Sequence, residues 1–381
     1  MSLFAIASGL VPSYLIYLAC RSTVGFCIGA NYAIAICFTA EMVPKQERSF
    51  NIFYADMMWT IGSLYVCVAA FFVMDFASGW RIVCFIVAIP PVVTLCLLHL
   101  CDESPRYLAT TNRIDEARTV LVKMCKENGR MMPEGDIFVR EEEKGRYREI
   151  FAHPFTKTSL IISTLFFCGE YTFSGFRFLL ADMMSQEYCG GPKFETIYID
   201  DSGCSMYTQA EYIYFIVACL CAVPAYIISP LTAEKWGRKP TFIYANFGCL
   251  FISVLFLSCF GGHILTIELA AILTLYTIVI ANIWLYVPEC YPTYIRTTAT
   301  GVQDGIGKLG GAMGCFLTEY LDTINIRYTI CTYIFVTLIG AIVACLIPSE
   351  TRGEFLVDYR KPSKRKYGIL ESADDEIEKQ Q

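Results

Sequence analysis

The sequence predicts an all-α, polytopic membrane protein built from two similar halves. Of its 381 residues, 55% are hydrophobic and only 17% are charged, below the roughly 25% charged residues of soluble domains. Nine apolar runs reach the roughly 20 residues needed to cross about 30 Å of hydrocarbon. Two stretches 248 positions apart also carry the same residues at the same spacing, which indicates an internal duplication.

The duplication is defined by six matched positions. They are Glu41, Pro44, Arg48, Asp56, Gly62 and Cys67 in the first copy, and Glu289, Pro292, Arg296, Asp304, Gly310 and Cys315 in the second. Usual residue frequencies of roughly 5–7% predict about one or two chance matches over such a window. Each copy begins where one apolar run ends and crosses into the next run. The pattern therefore favours the parallel-repeat architecture of membrane transporters.

The apolar runs fix the expected spans in order. We predict spans at 14–40, 51–74, 80–101, 157–183, 211–232, 241–260, 264–288, 297–320 and 327–347. Residues 1–11 resemble the tail of a further span, and no basic region precedes them as in a signal peptide. Three full spans come before the long central loop and six come after it. We therefore expect two six-helix halves, of which the first two spans and most of the third are missing.

These spans divide the chain into segments and predict an orientation. The segments are a partial N-terminal transmembrane half at 1–101, a central loop with an amphipathic helix at 102–156, a six-span half at 157–347 and a tail at 348–381. Of the 30 Lys and Arg residues, 24 fall on the side of the central loop and the tail. Because basic residues concentrate on the cytosolic side, we expect a multi-pass protein with both segments in the cytosol. In the loop, Asn112 is the predicted N-cap of the amphipathic helix and Gly129 its end.

Polar side chains inside apolar runs are costly and are functional candidates by default. The predicted substrate or ion cavity residues are Arg21, Asn31, Asp56, Glu170, Arg177, Asn282, Asp304 and Lys308. Glu170 and Arg177 lie seven residues apart, on one helical face. Asp304 and Lys308, four residues apart, can neutralise each other, and this pair could equally be structural. Asp56 lacks a local basic partner, which makes it the leading candidate for a proton site.

A second polar set falls at the predicted cytosolic ends of the spans. It comprises Glu41, Arg48, Glu103, Arg106, Glu234, Gly237, Arg238, Lys239, Glu289, Arg296, Glu350 and Arg352. Such a ring of carboxylates and guanidinium groups can hold one face shut and release it when the halves rock, and Gly237 permits the sharp turn in it. Ordinary positive-inside topology is the alternative. It explains the basic residues but neither the paired acids nor the repeated spacing.

Other chemistries lack support in the sequence. No Gly-x-x-x-x-Gly-Lys-Ser/Thr loop is present, so ATP-driven pumping is not indicated. His99, His153 and His263 are far apart, and we predict no metal, no cofactor, no nucleic-acid partner and no enzymatic activity. Cys189 and Cys204 lie in the predicted external loop, where an oxidising environment favours a disulfide. Two free thiols are the alternative.

Several short motifs resemble the major facilitator superfamily. Residues 234–239 (Glu-Lys-Trp-Gly-Arg-Lys) resemble its loop motif. Residues 102–108 resemble the Pro-Glu-Ser-Pro-Arg motif of its sugar and organic-ion branches, with Asp in place of the first Pro. Residues 288–296 look like the motif between spans ten and eleven of those branches, and residues 349–353 look like their C-terminal Pro-Glu-Thr-Lys-Gly. The run 126–133, followed by a Cys-bearing external loop, is most similar to the synaptic vesicle two-related proteins.

The resemblance implies secondary transport by alternating access, in a vesicle or plasma membrane. The expected partners are the lipid bilayer, a small organic solute, charged ones included, and a proton or another ion as a candidate for coupling. Cavity residues would lie on the spans that begin near 14, 51, 157, 211, 264 and 297. Two alternatives stay open. One is a non-transporting relative with a regulatory or receptor-like role, and the other is an inert truncated form.

Overall fold

The chain is helical almost throughout its described length. The structure is a computed structural model that describes residues 1–44, 47–76, 78–132, 135, 137, 147–185, 198–199, 205–206, 209–258, 263–348 and 350–353. Within these ranges, extended structure is limited to β1 (Tyr198–Ile199) and β2 (Ser205–Met206), which pair antiparallel with Tyr198 opposite Met206. The predicted disulfide partners Cys189 and Cys204 lie outside the described residues.

Twelve α-helices form the described part of the fold. They are α1 (Ser2–Leu10), α2 (Tyr14–Met42), α3 (Arg48–Val73), α4 (Gly79–Leu97), α5 (Pro105–Thr110), α6 (Ile114–Glu127), α7 (Thr156–Ser185), α8 (Gln209–Trp236), α9 (Arg238–Leu255), α10 (His263–Cys290), α11 (Thr293–Asp322) and α12 (Ile326–Cys345). Each predicted span falls on one of the nine helices that have 18 residues or more. The predicted all-α class is therefore confirmed.

Seven of the described helices are long and apolar enough to cross a membrane. These are α2, α3, α4, α8, α9, α10 and α12. The other two long helices, α7 and α11, have 30 residues each. They carry the charged residues Glu170, Arg177, Asp304 and Lys308 between their ends. These two helices thus contain half of the eight predicted cavity residues.

Two glycines of α11 bring that helix into close contact with α7. A side-chain Cβ at Gly310 would overlap Phe167 O, and one at Gly314 would overlap Tyr171 O. In membranes, small residues let helix backbones approach closely where larger side chains would hold them apart. Gly305, on another face of α11, has nothing within 4 Å of a built Cβ. Close helix packing therefore requires glycine at positions 310 and 314 but not at position 305.

One continuous hydrophobic core joins the two halves. Ile36 of α2 and Phe53 of α3 belong to the same buried cluster as Phe166 of α7 and Trp284 of α10. Trp284 packs edge-on against Phe166, with ring centroids 5.2 Å apart. Because aromatic side chains bury large areas in specific geometries, this cluster aligns α2, α3, α7 and α10 around a common centre.

The central loop carries the expected short helix, but its start differs from the prediction. Arg113, rather than Asn112, occupies the N-cap of α6. Asn112 precedes it in the left-handed conformation, with φ 61°, which Asn tolerates better than most residues. Gly129, with φ +67°, follows the end of the helix. Ala117 is fully buried in a small cluster with α5, so α6 packs on its neighbour through one narrow face.

Candidate functional site

A cavity of about 830 Å³ lies where helices α2, α3, α7, α8, α10 and α11 meet. Its wall is strongly aromatic and includes Tyr32, Trp59, Phe173, Tyr226 and Trp284. Tyr32 packs edge-on against both tryptophans, with centroid distances of 5.7 Å to Trp59 and 4.4 Å to Trp284. A concave, mostly apolar space of this size with a few polar groups is the usual form of a small-molecule site.

Three of the charged groups in the cavity form one cluster. Lys308 Nζ lies 2.9 Å from Glu170 Oε1 and 3.5 Å from Asp304 Oδ1. The side chains of Glu170 and Asp304 are 7% and 5% exposed, whereas that of Lys308 is 49% exposed. The ammonium group therefore stands over two buried carboxylates on the open side of the cluster, where a solute in the cavity can reach it.

Asp56 forms a separate polar centre in the same wall. It is buried, and Tyr32 donates a hydrogen bond from its hydroxyl to Oδ1. Its other oxygen, Oδ2, has no hydrogen-bond partner within the described part of the chain. Thr60 Oγ1 donates to the neighbouring phenol, Tyr226 OH, at 3.2 Å. A buried carboxylate with a free oxygen can bind a proton, or it can accept a hydrogen bond that a solute donates.

Arg177 lines the cavity without pairing with Glu170, although both lie on one face of α7. Its Nη2 lies 3.8 Å from Cys219 Sγ, and its guanidinium carbon lies 5.3 Å from the centroid of the Phe173 ring. This is the range of a cation–π contact. Within the described part of the chain, the guanidinium is thus held by an aromatic face and a sulfur atom rather than by a carboxylate.

Three of the eight predicted cavity residues do not line the cavity. Arg21 and Asn31 have exposed side chains on α2. Asn282 is completely buried in α10, where its Nδ2 donates to Ile278 O at 2.8 Å. A single polar residue within an apolar run does not reveal which face of the helix it occupies.

A buried cluster of ion pairs, which we call the charged face, closes the bundle beyond one end of the cavity. Arg48 and Arg296 each precede a cavity aspartate by eight residues, about 12 Å along a helix. Arg296 Nη1 donates to Glu41 Oε1 at 2.9 Å, and Arg48 Nη1 donates to Glu289 Oε1 at 3.4 Å. The glutamate of each repeat therefore pairs with the arginine of the other repeat, across the two halves.

Arg238 is the central residue of the charged face. It is 1% exposed and donates to both oxygens of Glu289, at 3.2 and 3.1 Å. It also donates to Ser49 Oγ at 2.8 Å and lies 3.3 Å from Glu234 Oε1. Bidentate guanidinium–carboxylate contacts are strong and geometrically specific. Through Ser49, which is on α3, this guanidinium ties the second half to the first.

Glu350 fixes the turn between α8 and α9. It accepts hydrogen bonds from the backbone N–H groups of Arg238 at 2.8 Å and Lys239 at 3.0 Å. A carboxylate at a helix N-terminus satisfies free amides and complements the helix dipole. Gly237 makes the approach possible because its φ is +99° and a built Cβ would lie 2.6 Å from Glu350 Oε2. Lys239 and Arg352 also donate to main-chain carbonyls nearby.

Two predicted members of the ring differ from the rest. Glu103 is exposed and accepts from the backbone N–H of its neighbour Ser104 at 3.2 Å. Ser104, not Glu103, reaches the ring, because its Oγ donates to Glu41 Oε2 at 2.8 Å. Arg106 is half-buried and close enough to Arg48 to interact with it electrostatically.

Sequence reasoning missed the neutral partners of these charges. Ser49 donates to the half-buried Glu234, and Thr351 Oγ1 donates to the buried Glu289 Oε2 at 2.6 Å. Tyr32 and Trp59 in the cavity wall were missed for another reason, since aromatic residues in an apolar run resemble ordinary core. Ser104 and Thr351 lie inside the family-like motifs at 102–108 and 349–353. That position was the one signal in the sequence that could have identified them.

Comparison with known proteins assigns this arrangement to a family. The family model described as "Sugar (and other) transporter" matches residues 1–361. The chain belongs to that family. As a sugar transporter family member it falls within the major facilitator superfamily, and its relatives are transporters rather than enzymes, as predicted. The matched residues include those of both the cavity and the charged face.

Individual relatives in this family are distant but extensive. The chain is 26% identical over 369 residues to the synaptic vesicle 2-related protein of Pongo abelii, covering 96% of this chain and 66% of that protein. It is 24% identical over 397 residues to organic cation/carnitine transporter 7 of Arabidopsis thaliana, covering 94% and 77%. The chain thus spans about two thirds of the length of the synaptic vesicle 2-related relatives it matches.

A solved structure shows the same fold. XylE of E. coli, described as a proton:xylose symporter bound to 6-bromo-6-deoxy-D-glucose, aligns with a TM-score of 0.68. The alignment covers 93% of this chain and 80% of that one at 16% identity. At this identity the likeness concerns the fold, and it confirms the predicted major facilitator architecture.

Proposed function

We propose that this protein is a secondary transporter of small organic solutes that works by alternating access between its two halves. The observation that carries the proposal is a cavity of about 830 Å³ between helices of both halves. The reciprocal ion pairs of the charged face bridge the same halves beyond one end of that cavity. Rocking the halves apart at this face would require those pairs to separate, which would couple access to their opening and closing.

The proposed orientation places the charged face in the cytosol. The central loop and the tail hold most of the basic residues, and such segments usually stay on the cytosolic side. The conformation described here would then be closed toward the cytosol. A vesicle or plasma membrane is the proposed location.

Organic cations are the proposed substrate class. The cavity contains three carboxylates, Asp56, Glu170 and Asp304, and two basic groups, Arg177 and Lys308. With all five ionised, its side chains carry a net charge of −1. Aromatic faces surround them, and cations bind favourably over such faces. A protein cation already occupies this kind of position, since Lys308 Nζ lies 5.5 Å from the centroid of the Trp59 ring.

Asp56 is the proposed site of proton coupling. It is a buried carboxylate that accepts a hydrogen bond from Tyr32 and has a second oxygen with no hydrogen-bond partner among the described atoms. Asp56 lies eight residues after Arg48 on α3, about 12 Å along the helix axis. The same helix therefore carries both Asp56 and an arginine of the charged face. Protonation would remove the only carboxylate on the first half's side of the described cavity wall. That change would alter the attraction for a cationic solute.

Uptake into proteoliposomes tests this proposal. Radiolabelled tetraethylammonium and a neutral sugar are offered to vesicles containing the protein and to empty vesicles. We expect uptake of the cation, a loss of at least about tenfold in the Asp56→Asn variant, and normal uptake in the Glu319→Gln variant. Glu319 is a matched control because it is an exposed carboxylate on α11.

The outcomes separate the competing functions. Uptake of the sugar but not the cation would overturn the substrate class and leave transport standing. If neither solute accumulates above the level of empty vesicles, a non-transporting role in the same fold is the better reading. Equal loss of uptake in both variants would remove the special role of Asp56.

A further inference from the structure

Helices α3 and α8 form an antiparallel contact that joins the two halves along much of their length. Near the charged face, Ser49 of α3 donates a hydrogen bond to Glu234 of α8. Further along, Thr60 Oγ1 of α3 donates to Tyr226 OH of α8 at 3.2 Å. Residue numbers rise on one helix as they fall on the other, so these two contacts define the register of the pair.

Extending this register brings two cysteines together. Seven residues beyond Thr60 on α3 is Cys67, and seven residues before Tyr226 on α8 is Cys219. Seven residues are close to two helical turns, about 10.5 Å, and return to the same helix face. The two thiol groups indeed interact with each other, and both are free cysteines.

The surroundings of this thiol pair favour oxidation chemistry. Arg177 Nη2 lies 3.8 Å from Cys219 Sγ, and a neighbouring guanidinium stabilises the thiolate, which is the nucleophilic form of cysteine. Cys67 is only partly buried, whereas Cys219 is 3% exposed. A thiolate beside a second thiol is the arrangement in which an oxidised sulfur is captured as a disulfide.

We propose that Cys67 and Cys219 are a redox modification site, which a peroxide converts into a disulfide between the two halves. With hydrogen peroxide as the oxidant, the Cys219 thiolate attacks one oxygen and the O–O bond breaks. The products are a sulfenic acid on Cys219 and, after the leaving hydroxide takes up one proton, one water. The Cys67 thiol then attacks that sulfur, forming the S–S bond and releasing a second water. Two sulfur atoms are each oxidised by one electron, and the peroxide is reduced by two.

The disulfide would join the halves at a point remote from the charged face. Cys67 lies 19 residues after Arg48 on the same helix, about 28 Å along its axis. The ion pairs and the thiol pair therefore hold α3 near its two ends. A covalent bond here would fix the separation of α3 and α8 independently of any solute, so the inference does not rest on the proposed transport activity.

Cleavage of the central loop provides the test. A site for a specific protease is inserted after Gly129 in the full chain, which separates Cys67 and Cys219 into different fragments after cleavage. The protein in membranes is treated with hydrogen peroxide, cleaved, and run on a denaturing gel with and without a thiol reductant. We expect separate fragments before peroxide treatment and mostly joined fragments after it, which the reductant separates again.

Peptide mass spectrometry of the wild-type chain identifies the bond, so the result does not depend on the folding of a variant. The expected product is a Cys67 peptide linked to a Cys219 peptide with the loss of two hydrogen atoms. Cys67→Ser should abolish joining. Cys221→Ser, which removes a half-buried thiol two residues from Cys219, should leave it unchanged.

The role of Arg177 has its own readout. Arg177→Gln should slow disulfide formation at least about fivefold, and Arg177→Lys should restore the rate because it keeps the positive charge. Separate fragments in the oxidised wild-type chain would overturn the proposal. Joining that persists in Cys67→Ser, or linked peptides that lack either cysteine, would overturn it as well.

Discussion

Lys308 Nζ on α11 lies 2.9 Å from Glu170 Oε1 on α7, closer than the 3.5 Å to Asp304 Oδ1 on its own helix. The lysine therefore bridges two helices instead of only neutralising the acid one turn before it. Because both carboxylates are buried while the lysine is half exposed, the site already holds a cation that is tethered to the protein. A cationic solute in the cavity would compete with that ammonium group for the same two acids.

Removing the tethered cation should strengthen binding of a free one. In Lys308→Gln we expect the affinity for tetraethylammonium to rise about tenfold, equivalent to about 1.4 kcal/mol, because Glu170 and Asp304 lose their internal counter-ion. Equilibrium binding to the purified protein measures this change. Lys308→Arg keeps the charge and should bind like the wild type. Unchanged or weaker binding in Lys308→Gln would contradict competition at these carboxylates.

Breaking the buried pair between the repeats should destabilise the protein. The side chains of Arg296 and Glu41 are 0% and 10% exposed. Arg296→Gln leaves Glu41 without its charged partner, and the expected loss is about 3–5 kcal/mol. A lower midpoint of thermal unfolding in detergent would report it. The matched control is Arg113→Gln, which breaks an Arg–Glu pair whose side chains are 52% and 57% exposed and should not shift the midpoint measurably. Similar shifts in both variants would refute the importance of burial.

A methyl group at Gly237 should disrupt the start of α9. Gly237→Ala places a Cβ 2.6 Å from Glu350 Oε2 and forces alanine to adopt φ +99°. We expect a destabilisation of about 1–3 kcal/mol and faster hydrogen exchange of the Lys239 amide, which Glu350 otherwise protects. Gly353→Ala is the control, since Gly353 has φ +72° but no atom within 4 Å of a built Cβ. Fast exchange at Lys239 in the control alone would contradict this account.

The glycine contact between α7 and α11 should tolerate no side chain. Gly314→Ala would place a Cβ against Tyr171 O and push the helices apart, with an expected cost of about 1–3 kcal/mol from overpacking. Gly305→Ala adds the same methyl group to open space and should be neutral or stabilising by up to about 1 kcal/mol. Thermal unfolding of the two variants gives the comparison. A stability loss in Gly305→Ala as large as in Gly314→Ala would argue against close backbone packing as the cause.

The sequence predicts most of the fold because a membrane imposes simple rules on length and polarity. Each predicted span falls on a helix, and the predicted all-α class and superfamily are confirmed. The N-cap of α6 was wrong by one residue, because Asn112 adopts the left-handed conformation instead of capping. Capping depends on backbone angles that composition alone does not determine.

The candidate site was predictable only in part. Charges inside apolar runs identify Asp56, Glu170 and Lys308, but they do not identify the partner of each charge. The helix-to-helix register decides that Lys308 reaches Glu170, and the sequence contains no direct signal for it. Arg21 and Asn31 show the same limit, since their helix faces are set by neighbours distant in sequence. The roles of these residues in transport stay predictions.

The reciprocal pairs of the charged face have a consequence for how the two halves can change. Glu41 meets Arg296 and Glu289 meets Arg48, so equivalent patches of the two copies contact each other, as in the isologous interface of a twofold homodimer. The duplicated chain contains such an interface within one polypeptide. Reversing a charge in one copy would set two like charges face to face, and a second reversal in the other copy would be needed to restore the pair. At these four positions, a change of charge in one half can therefore persist only with a matching change in the other half.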